Sequence, residues 1–285
     1  MTEKLDIDHL RQWIGRTTEA SDIVTAQLVK GLRATLFQEI GEPKPGDAAP
    51  FTVHWCLAQP VAPMSMLGQD GHPTRGGFLP PVPLPRRMWA GGELEFVDAL
   101  RVGDEARRTS RISDVTMKTG STGMLCFVSV EHVVTTSRGI AIRERQDIVY
   151  RDISGSPQPA SAKPPPPPVA KHRETHMADP VLLFRYSALT FNGHRIHYDR
   201  RYVTEVEGYP GLIVHGPLIA TLLLDLLRRE QPDAEVATFR FKAVRPTFDL
   251  HAFHVHGAPQ PDGSVRLWAA DHEGWLTMDA SATLR

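Results

Sequence analysis

The chain has 285 residues, 41% of them hydrophobic, and its formal net charge at pH 7 is -1. This length exceeds one ordinary domain of roughly 100 to 150 residues, so we expect two packed units with sizeable apolar cores. The near-zero net charge and a pI of about 6.9 argue against nucleic-acid binding and against attraction to anionic membranes.

The N-terminus carries acidic side chains at Glu3, Asp6 and Asp8, and it lacks the basic-then-apolar order of a signal peptide. The sequence contains no run of about 18 apolar residues that could cross a membrane. We therefore predict a cytoplasmic protein without membrane contact. Cys56 and Cys126 stand in apolar, strand-like surroundings, which favours buried free thiols.

The first half begins with two stretches of helical periodicity, at residues 5–14 and 25–40. Strand-like stretches follow at residues 94–102, 124–135 and 143–150. Between the two groups lies a segment rich in Pro and Gly, residues 49–92, which also contains aromatic residues and methionines. A helix followed by several long strands is what an α+β unit is expected to show.

A linker is predicted at residues 154–169, which contain Gly, Ser, Ala and five consecutive prolines. Such a composition cannot pack a core and favours extended polyproline II geometry. We therefore expect one unit at residues 1–153 and another at residues 170–285.

The second half contains an almost wholly apolar helix that is predicted to begin at Gly216 and Pro217. Proline suits the first helical position, because the amide it lacks would have no partner there. The apolar residues recur at helical spacing up to Arg228 and Arg229, so a sheet must nearly surround this helix. Its N-terminal amides could stabilise an anionic oxygen.

Strand-like stretches follow this helix at residues 239–246, 251–256, 264–269 and 276–284. Their order and pattern match those of the first half, which suggests a weak internal duplication.

A polar loop precedes the apolar helix and contains Asn192, His194 and His197, and a Val-His-Gly turn leads from Val214 to Gly216. The two segments together resemble the hydratase motif of hotdog-fold hydratases and dehydratases that act on acyl thioesters. The amino-acid sequence of the loop is similar to that of the hydroxyacyl-thioester dehydratase type 2 branch of these MaoC-like proteins. Residues 76–81 and 85–92 look like the same branch.

The resemblance implies an α+β double hotdog, in which each unit is an antiparallel sheet wrapped around a helix and the two sheets join side by side. The N-terminal half has neither the Asn-x-x-x-x-His spacing nor the Val-His-Gly turn. By the resemblance, this degenerate half builds the acyl pocket and the C-terminal half performs the chemistry.

Adding water to an enoyl thioester requires a base for the water, a proton donor at C2 and hydrogen-bond donors for the thioester oxygen. His197 could be the base, because an imidazole titrates near neutral pH. Asn192 would hold the water or the substrate. By the resemblance, the backbone amide of Gly216 would donate a hydrogen bond to the thioester oxygen. Many relatives have aspartate in place of Asn192. An amide is no base, so the sequence leaves open whether His197 acts alone or shares the role with His194.

We expect no redox cofactor and no metal, with coenzyme A present only as part of the substrate. The His194-x-x-His197 spacing could suit a metal, but no acidic or thiol partner stands at helical spacing and Arg195 lies between the two. Arg240 and Lys242 share a strand face and Arg245 follows, which makes either a clamp for the coenzyme A phosphates or a solvated face.

Arg86 and Arg87 stand close to Trp89 in the segment expected to line the acyl pocket. An arginine there could bind a free carboxylate bidentately, which favours short, branched dicarboxylic substrates. We predict reversible hydration of mesaconyl-C4-CoA or itaconyl-CoA to a 3-hydroxyacyl-CoA such as citramalyl-CoA. The alternatives are a 3-hydroxyacyl-thioester dehydratase of fatty-acid synthesis, a thioesterase and a non-catalytic acyl-CoA-binding subunit. The sequence leaves the oligomeric state open and is compatible with a homo-oligomer.

Overall fold

The computed structural model describes residues 5–120, 123–152 and 169–285. Ten strands of this part form one antiparallel sheet in the order β1-β3-β4-β5-β2-β7-β10-β9-β8-β6. The strands are β1 (Thr17–Ile23), β2 (Arg86–Phe96), β3 (Glu105–Gly120), β4 (Gly123–Thr136), β5 (Gly139–Arg151), β6 (His172–His176), β7 (Val236–Ala243), β8 (Phe253–Pro259), β9 (Val265–Ala270) and β10 (Leu276–Leu284). The α-helices are α1 (Ile7–Arg11), α2 (Ala26–Thr35), α3 (Pro180–Leu189), α4 (Arg200–Glu205) and α5 (Gly216–Glu230).

The sheet consists of two five-stranded halves that are joined where β2 pairs with β7. The side chains of β7 alternate, so that Phe239 and Phe241 are buried while Arg240 and Lys242 point to solvent. This alternation gives the sheet one apolar face, on which the helices pack. The prediction of two sheets joined side by side is confirmed.

Helix α5 is the central helix of the C-terminal half and has ten buried residues, as its apolar sequence predicts. It packs against β8, β9 and β10. At its C-terminal end the buried Asp225 pairs with Arg228 at 2.8 Å and with Arg229 at 3.0 Å. These two cations also suit the negative end of the helix dipole.

We expect each sheet to wrap one helix, and the described part of the N-terminal half has no helix as long as α5. At the position of α5 it has a single buried 3-10 turn, Val53–Cys56, while α2 packs against α3 of the other half. Helices α1 and α2 are also shorter than predicted. The second begins at a Thr25 cap and ends at Thr35, just before Phe37 takes a positive φ of 59° that a helix cannot continue.

Residues 86–89, near the end of the Pro- and Gly-rich segment, lie on strand β2. The register places Arg86 opposite Arg151 and Arg87 opposite Tyr150 on β5. The predicted linker, residues 154–169, lies outside the described residues except for its last position. Cys56 and Cys126 are buried free thiols, as predicted. Among the helices described, none is long and apolar enough to cross a membrane.

Candidate active site

A cavity of about 680 Å³ lies between the two halves, at the N-terminal end of α5. The predicted site residues that line it are Arg86, Arg87, Trp89, Asn192, His194, His197, Gly216 and Arg245. Arg240 and Lys242 do not line it. The structure therefore brings the hydratase motif and the arginines of the N-terminal half around one space.

The polar loop begins where α3 ends. Phe191 has a positive φ of 48°, which turns the chain, and the Asn192 amide then donates to the Ser187 carbonyl at 2.8 Å. The Asn192 Oδ1 accepts a hydrogen bond from the His194 amide at 3.0 Å. Because Oδ1 is engaged in this way, the side-chain NH₂ of Asn192 is the group available to donate into the cavity.

His197 is buried, and its Nδ1 lies 2.7 Å from the Ile213 carbonyl oxygen. A carbonyl can only accept, so Nδ1 carries the proton and Nε2 keeps a lone pair in the neutral ring. Burial lowers the pKa of His197 to about 4, although the bond to Ile213 opposes this effect. His197 is therefore a neutral base near pH 7.

His215 packs directly against His197. Its ring stacks on that of His197 at a centroid distance of 3.7 Å, and its Nε2 lies 2.8 Å from the Ser187 hydroxyl. Burial and the neighbouring His197 hold the pKa of His215 well below its usual range. The packing indicates a structural role for His215.

Gly216 is the first residue of α5 and follows His215 directly. The first amides of a helix have no intrahelical partner and face the positive end of its dipole. Since Gly216 lines the cavity, its amide is placed to donate to an oxygen that develops negative charge.

Two titratable residues that the sequence motif does not include, Asp70 and His72, also line the cavity. The Asp70 Oδ2 lies 3.0 Å from the His72 Nδ1, and the His72 ring packs against the ring of His194 at a centroid distance of 4.1 Å. Asp70, Gly71 and His72 stand in a glycine-rich stretch of the other half, far from the motif along the chain. Only their Asp-x-His spacing could have drawn attention to them.

The turn that carries these residues is fixed to the motif loop by backbone contacts. The Arg195 amide donates to the Asp70 carbonyl at 2.9 Å, and the Arg195 guanidinium donates to the Gln69 carbonyl at 3.0 Å. Gly71 has a φ of +86°, and a Cβ at this position would lie 2.0 Å from the Gly193 carbonyl oxygen. Glycine is therefore required where the two loops touch.

The pKa values of Asp70, His72 and His194 are all lower than their ordinary values. Burial lowers the pKa of His72 despite its hydrogen bond to Asp70, and burial together with His72 and His197 holds the pKa of His194 well below normal. Burial alone would raise the pKa of Asp70, but the contact with His72 and the charge of Arg87 lower it. Both histidines are thus neutral beside an ionised carboxylate.

The ligand atoms of Asp70, His72 and His194 lie within 4.8 Å of one another, which is close enough to consider a metal ion. Two features disfavour a cation there. The Asp70 carboxylate is already bonded to His72, and the positive charge of Arg87 acts on all three residues. We assign no metal to this group.

The two neighbouring arginines of β2 have different environments. Arg86 is buried and paired with Glu207 at 3.1 Å, and its guanidinium lies over the Tyr209 ring at 4.9 Å. Its charge is thus already matched. Arg87 makes no salt bridge with a carboxylate of the described chain and is half-buried in the cavity wall.

Trp89 forms part of the apolar wall. Its indole N–H donates to the Gly91 carbonyl at 2.8 Å, and its ring packs against Trp55 at 5.1 Å and Phe241 at 5.7 Å. With the N–H satisfied, the ring faces its surroundings as an apolar surface.

The three predicted phosphate-binding residues do not act as one group. Arg240 pairs with Glu93 at 2.9 Å on the solvent face of the sheet, and Lys242 is exposed on the same face. Arg245 alone lines the cavity; it is exposed, and its guanidinium lies over the Trp275 ring at 4.1 Å. For Arg240 and Lys242 the geometry fits the solvated-face alternative.

The chain is similar to known proteins over most of its length. It is 43% identical over 273 residues to the mesaconyl-C(4)-CoA hydratase of Chloroflexus aurantiacus, covering 95% of this chain and 96% of the relative. It is 26% identical over 222 residues to the mitochondrial hydroxyacyl-thioester dehydratase type 2 of Schizosaccharomyces pombe, covering 68% and 73% of the two chains.

Solved structures show the same fold. A MaoC-like dehydratase from Phytophthora capsici matches with a TM-score of 0.70 at 14% identity and covers 99% of both chains. A Mycobacterium tuberculosis protein described as a double hotdog matches with a TM-score of 0.54 at 13% identity, covering 95% and 96%. The α+β double hotdog is thereby confirmed.

The model of one protein family, hydroxyacyl-thioester dehydratase type 2, matches residues 52–249. This range includes the cavity residues of both halves from Asp70 to Arg245. With the 43% identical relative, it shows that the chain belongs to the hydroxyacyl-thioester dehydratase type 2 family.

Proposed function

We propose that this protein is a hydro-lyase that reversibly adds water to a short, branched dicarboxylic enoyl-CoA of the mesaconyl-C4-CoA or itaconyl-CoA type. The product is a 3-hydroxyacyl-CoA such as citramalyl-CoA. The observation that carries the proposal is that one cavity is lined by the base His197, by Gly216 with its backbone amide, and by the cation Arg87, which forms no salt bridge among the described residues. The name of the 43% identical relative agrees with this substrate class.

The reaction begins when water lies between Asn192 and His197. The Asn192 NH₂ donates to the water oxygen, and the water donates to the His197 Nε2. As the oxygen bonds to C3, His197 takes the proton and the C2=C3 electrons move toward the thioester oxygen. The Gly216 amide and the dipole of α5 stabilise the resulting enolate.

Arg87 is placed to bind the free carboxylate of the acyl group. A guanidinium matches a carboxylate through two parallel hydrogen bonds, and the half-buried wall limits screening by water. Trp89 supplies an adjacent apolar surface for the branched carbon chain. A neutral enoyl group has no free carboxylate for Arg87 to bind, so it should be the poorer substrate.

Arg245 stands where the cavity meets solvent and is the residue of the predicted clamp that we retain for a coenzyme A phosphate. No redox cofactor or metal takes part in the proposed steps, and coenzyme A enters only as the carrier of the acyl group.

The test is a panel of enoyl thioesters followed by the loss of absorbance of the conjugated thioester. The panel should contain mesaconyl-C4-CoA, itaconyl-CoA, crotonyl-CoA and an acyl-carrier-protein thioester of matched length. We expect turnover to be fastest with a dicarboxylic CoA substrate. Preference for the acyl-carrier-protein thioester would instead indicate the fatty-acid dehydratase, thiol release without hydration a thioesterase, and tight binding without turnover a non-catalytic subunit.

A further inference from the structure

The proposed reaction leaves one proton transfer without a residue. Addition of water places a proton on C2, but the Asn192 side chain is an amide that neither takes up nor releases a proton near neutral pH. His197 faces the water that attacks C3. A second acid-base group near C2 would complete the site.

We propose that His72, positioned by Asp70, is this second acid-base residue, contributed by the N-terminal half to the active site of the C-terminal half. The inference rests on the proposed function and names a residue for a step that the motif does not cover.

The first support is the geometry of the pair. The Asp70 carboxylate lies 3.0 Å from the His72 Nδ1, and it also accepts a hydrogen bond from the His72 amide at 3.0 Å. A carboxylate in this position fixes the ring, keeps the proton on Nδ1 and stabilises the imidazolium when Nε2 gains a second proton. Nε2 is then the atom left to exchange protons.

The second support is a row of neighbouring imidazole rings. His194 packs against His72 at a centroid distance of 4.1 Å and against His197 at 5.5 Å. All three histidines line the same cavity. His194 therefore lies between the two groups that would exchange protons and could carry a proton from one to the other.

The third support is the set of backbone contacts that fix the turn bearing Asp70 and His72. Several backbone bonds shape it, such as that from the Gly68 amide to the His72 carbonyl at 2.7 Å. The Arg195 amide bond to Asp70 and the contact between Gly71 and Gly193 then fix it to the motif loop. A turn that served only as a cover would not need such close registration with the loop that bears Asn192.

In the proposed steps, the proton lost by water reaches C2 through the three histidines. His197 Nε2 takes a proton from water as the oxygen bonds to C3 and the enolate forms. His197 passes its proton through His194 to the Nε2 of His72, where Asp70 stabilises the cation. His72 then gives the proton to C2, and the enolate electrons restore the thioester carbonyl. Every histidine ends neutral, as it began, and dehydration follows the same steps in reverse.

The experiment uses the dehydration direction with 3-hydroxyacyl-CoA that carries deuterium at C2. His72→Gln keeps a polar side chain of similar reach but cannot carry the proton. We expect kcat to fall by about 100-fold with little change in KM, and the C2 deuterium isotope effect to rise because the transfer at C2 becomes limiting. His9→Gln, an exposed histidine on α1, is the matched control and should behave as wild type.

Asp70→Asn is the second variant, because it retains the shape of the side chain and removes the charge that stabilises the His72 imidazolium. We expect a smaller loss of kcat, of about 10-fold, again with a raised isotope effect. This variant keeps the inference testable if His72→Gln does not fold. Asp70 acts through His72 and is a positioning residue.

An unchanged kcat in His72→Gln would overturn the inference, and so would a lower kcat with the wild-type isotope effect, since a merely structural role predicts that pattern. If His72→Gln does not fold, a wild-type kcat or isotope effect in Asp70→Asn would overturn it. Failure of the proposed function is separate, because it would appear as absence of enoyl-CoA hydration by the wild-type protein.

Discussion

The two halves of the molecule share a backbone pattern around the start of the central helix. The Ala49 amide donates to the Leu100 carbonyl at 2.8 Å, and the Val214 amide donates to the Thr247 carbonyl at 2.8 Å. Both bonds connect the segment that enters the helix position with the loop that follows the joining strand of that half. The internal duplication suggested by the sequence is visible in these contacts.

The likeness extends to the polar residue that follows the preceding helix. Helix α2 is followed by Phe37 with φ of 59° and then Gln38, and α3 is followed by Phe191 with φ of 48° and then Asn192. A second cavity of about 830 Å³ lies beside Gln38. Each half thus places an amide side chain and a cavity at corresponding positions.

The chemistry differs at these matched positions. Phe51 occupies the place of Gly216, and the single 3-10 turn Val53–Cys56 replaces α5. The Gln38 amide donates to Asp225 at 2.6 Å, so it is engaged within the protein. One half therefore has a helix N-terminus and the motif histidines at these positions, while the other has a 3-10 turn and an amide that is bonded within the protein.

The connection after the helix position is also unequal. Residues 57–85 connect the 3-10 turn to β2, whereas residues 231–235 connect α5 to β7. The longer connection contains Asp70 and His72, which line the cavity at the N-terminal end of α5. The N-terminal half, which lacks the hydratase motif, thus lines the same cavity with residues of this connection.

Substitution of the motif residues should produce the largest effect. We expect His197→Ala to lower kcat by about 100- to 10,000-fold through loss of a positioned base, and Asn192→Ala to be similarly damaging. Gln38→Ala, at the matched position of the other half, should leave kcat unchanged. Initial rates of enoyl-CoA hydration measure this, and a His197→Ala variant with more than half of wild-type turnover would disprove the assignment.

Substitution of Arg87 tests whether the N-terminal half selects the acyl group. Loss of a charge-assisted, half-buried contact should cost on the order of 2 kcal/mol in kcat/KM, about 30-fold, for mesaconyl-C4-CoA. Crotonyl-CoA should lose much less. Arg240→Ala removes a guanidinium from the solvent face of the same sheet and is the control. Equal losses on both substrates would point to a structural role for Arg87.

Gly71→Ala should weaken the contact between the halves without removing a functional side chain. The new Cβ would meet the Gly193 carbonyl oxygen at 2.0 Å, so the turn must move away from the motif loop. We expect kcat to fall about 10-fold, because displacement of positioned groups by about 1 Å is costly. Gly46→Ala bears similar backbone strain at φ of +92° with no atom within 4 Å, so it should lose stability but not kcat. Equal kcat for both variants would contradict this.

The response to pH should be the smallest effect, and His197 of the C-terminal half should contribute to it. The pKa of His197 is about 4, so this base stays neutral, and kcat/KM should fall on the acid side at a pH well below 6.5. The free energy of unfolding should also decrease on the acid side. Between about pH 6.5 and 4 the unfolded chain takes up a proton at His197 that the folded chain does not, so stability falls as the pH falls through this range. An acid limb near pH 6.5 in kcat/KM, or thermal stability unchanged between pH 7 and 5, would contradict this account.

The sequence was sufficient where a function depends on a few neighbouring residues or on periodic burial. The start of α5 at Gly216 follows from the Gly-Pro step and the apolar run, and both catalytic segments were identifiable because each is short and continuous. Most strands of the two halves were readable for the same reason, since alternating side chains report the face of a sheet.

The tertiary structure alone decided which distant groups meet. Arg86 and Arg87 are equivalent in sequence, but Glu207 matches the charge of Arg86 and leaves Arg87 for a ligand. Asp70 and His72 carry only their Asp-x-His spacing as a local signal, because their place in the site depends on the approach of Gly71 to Gly193 across the junction of the halves. Ion pairing and close backbone packing are properties of segments brought together by folding, so no periodicity or spacing within one segment could have shown them.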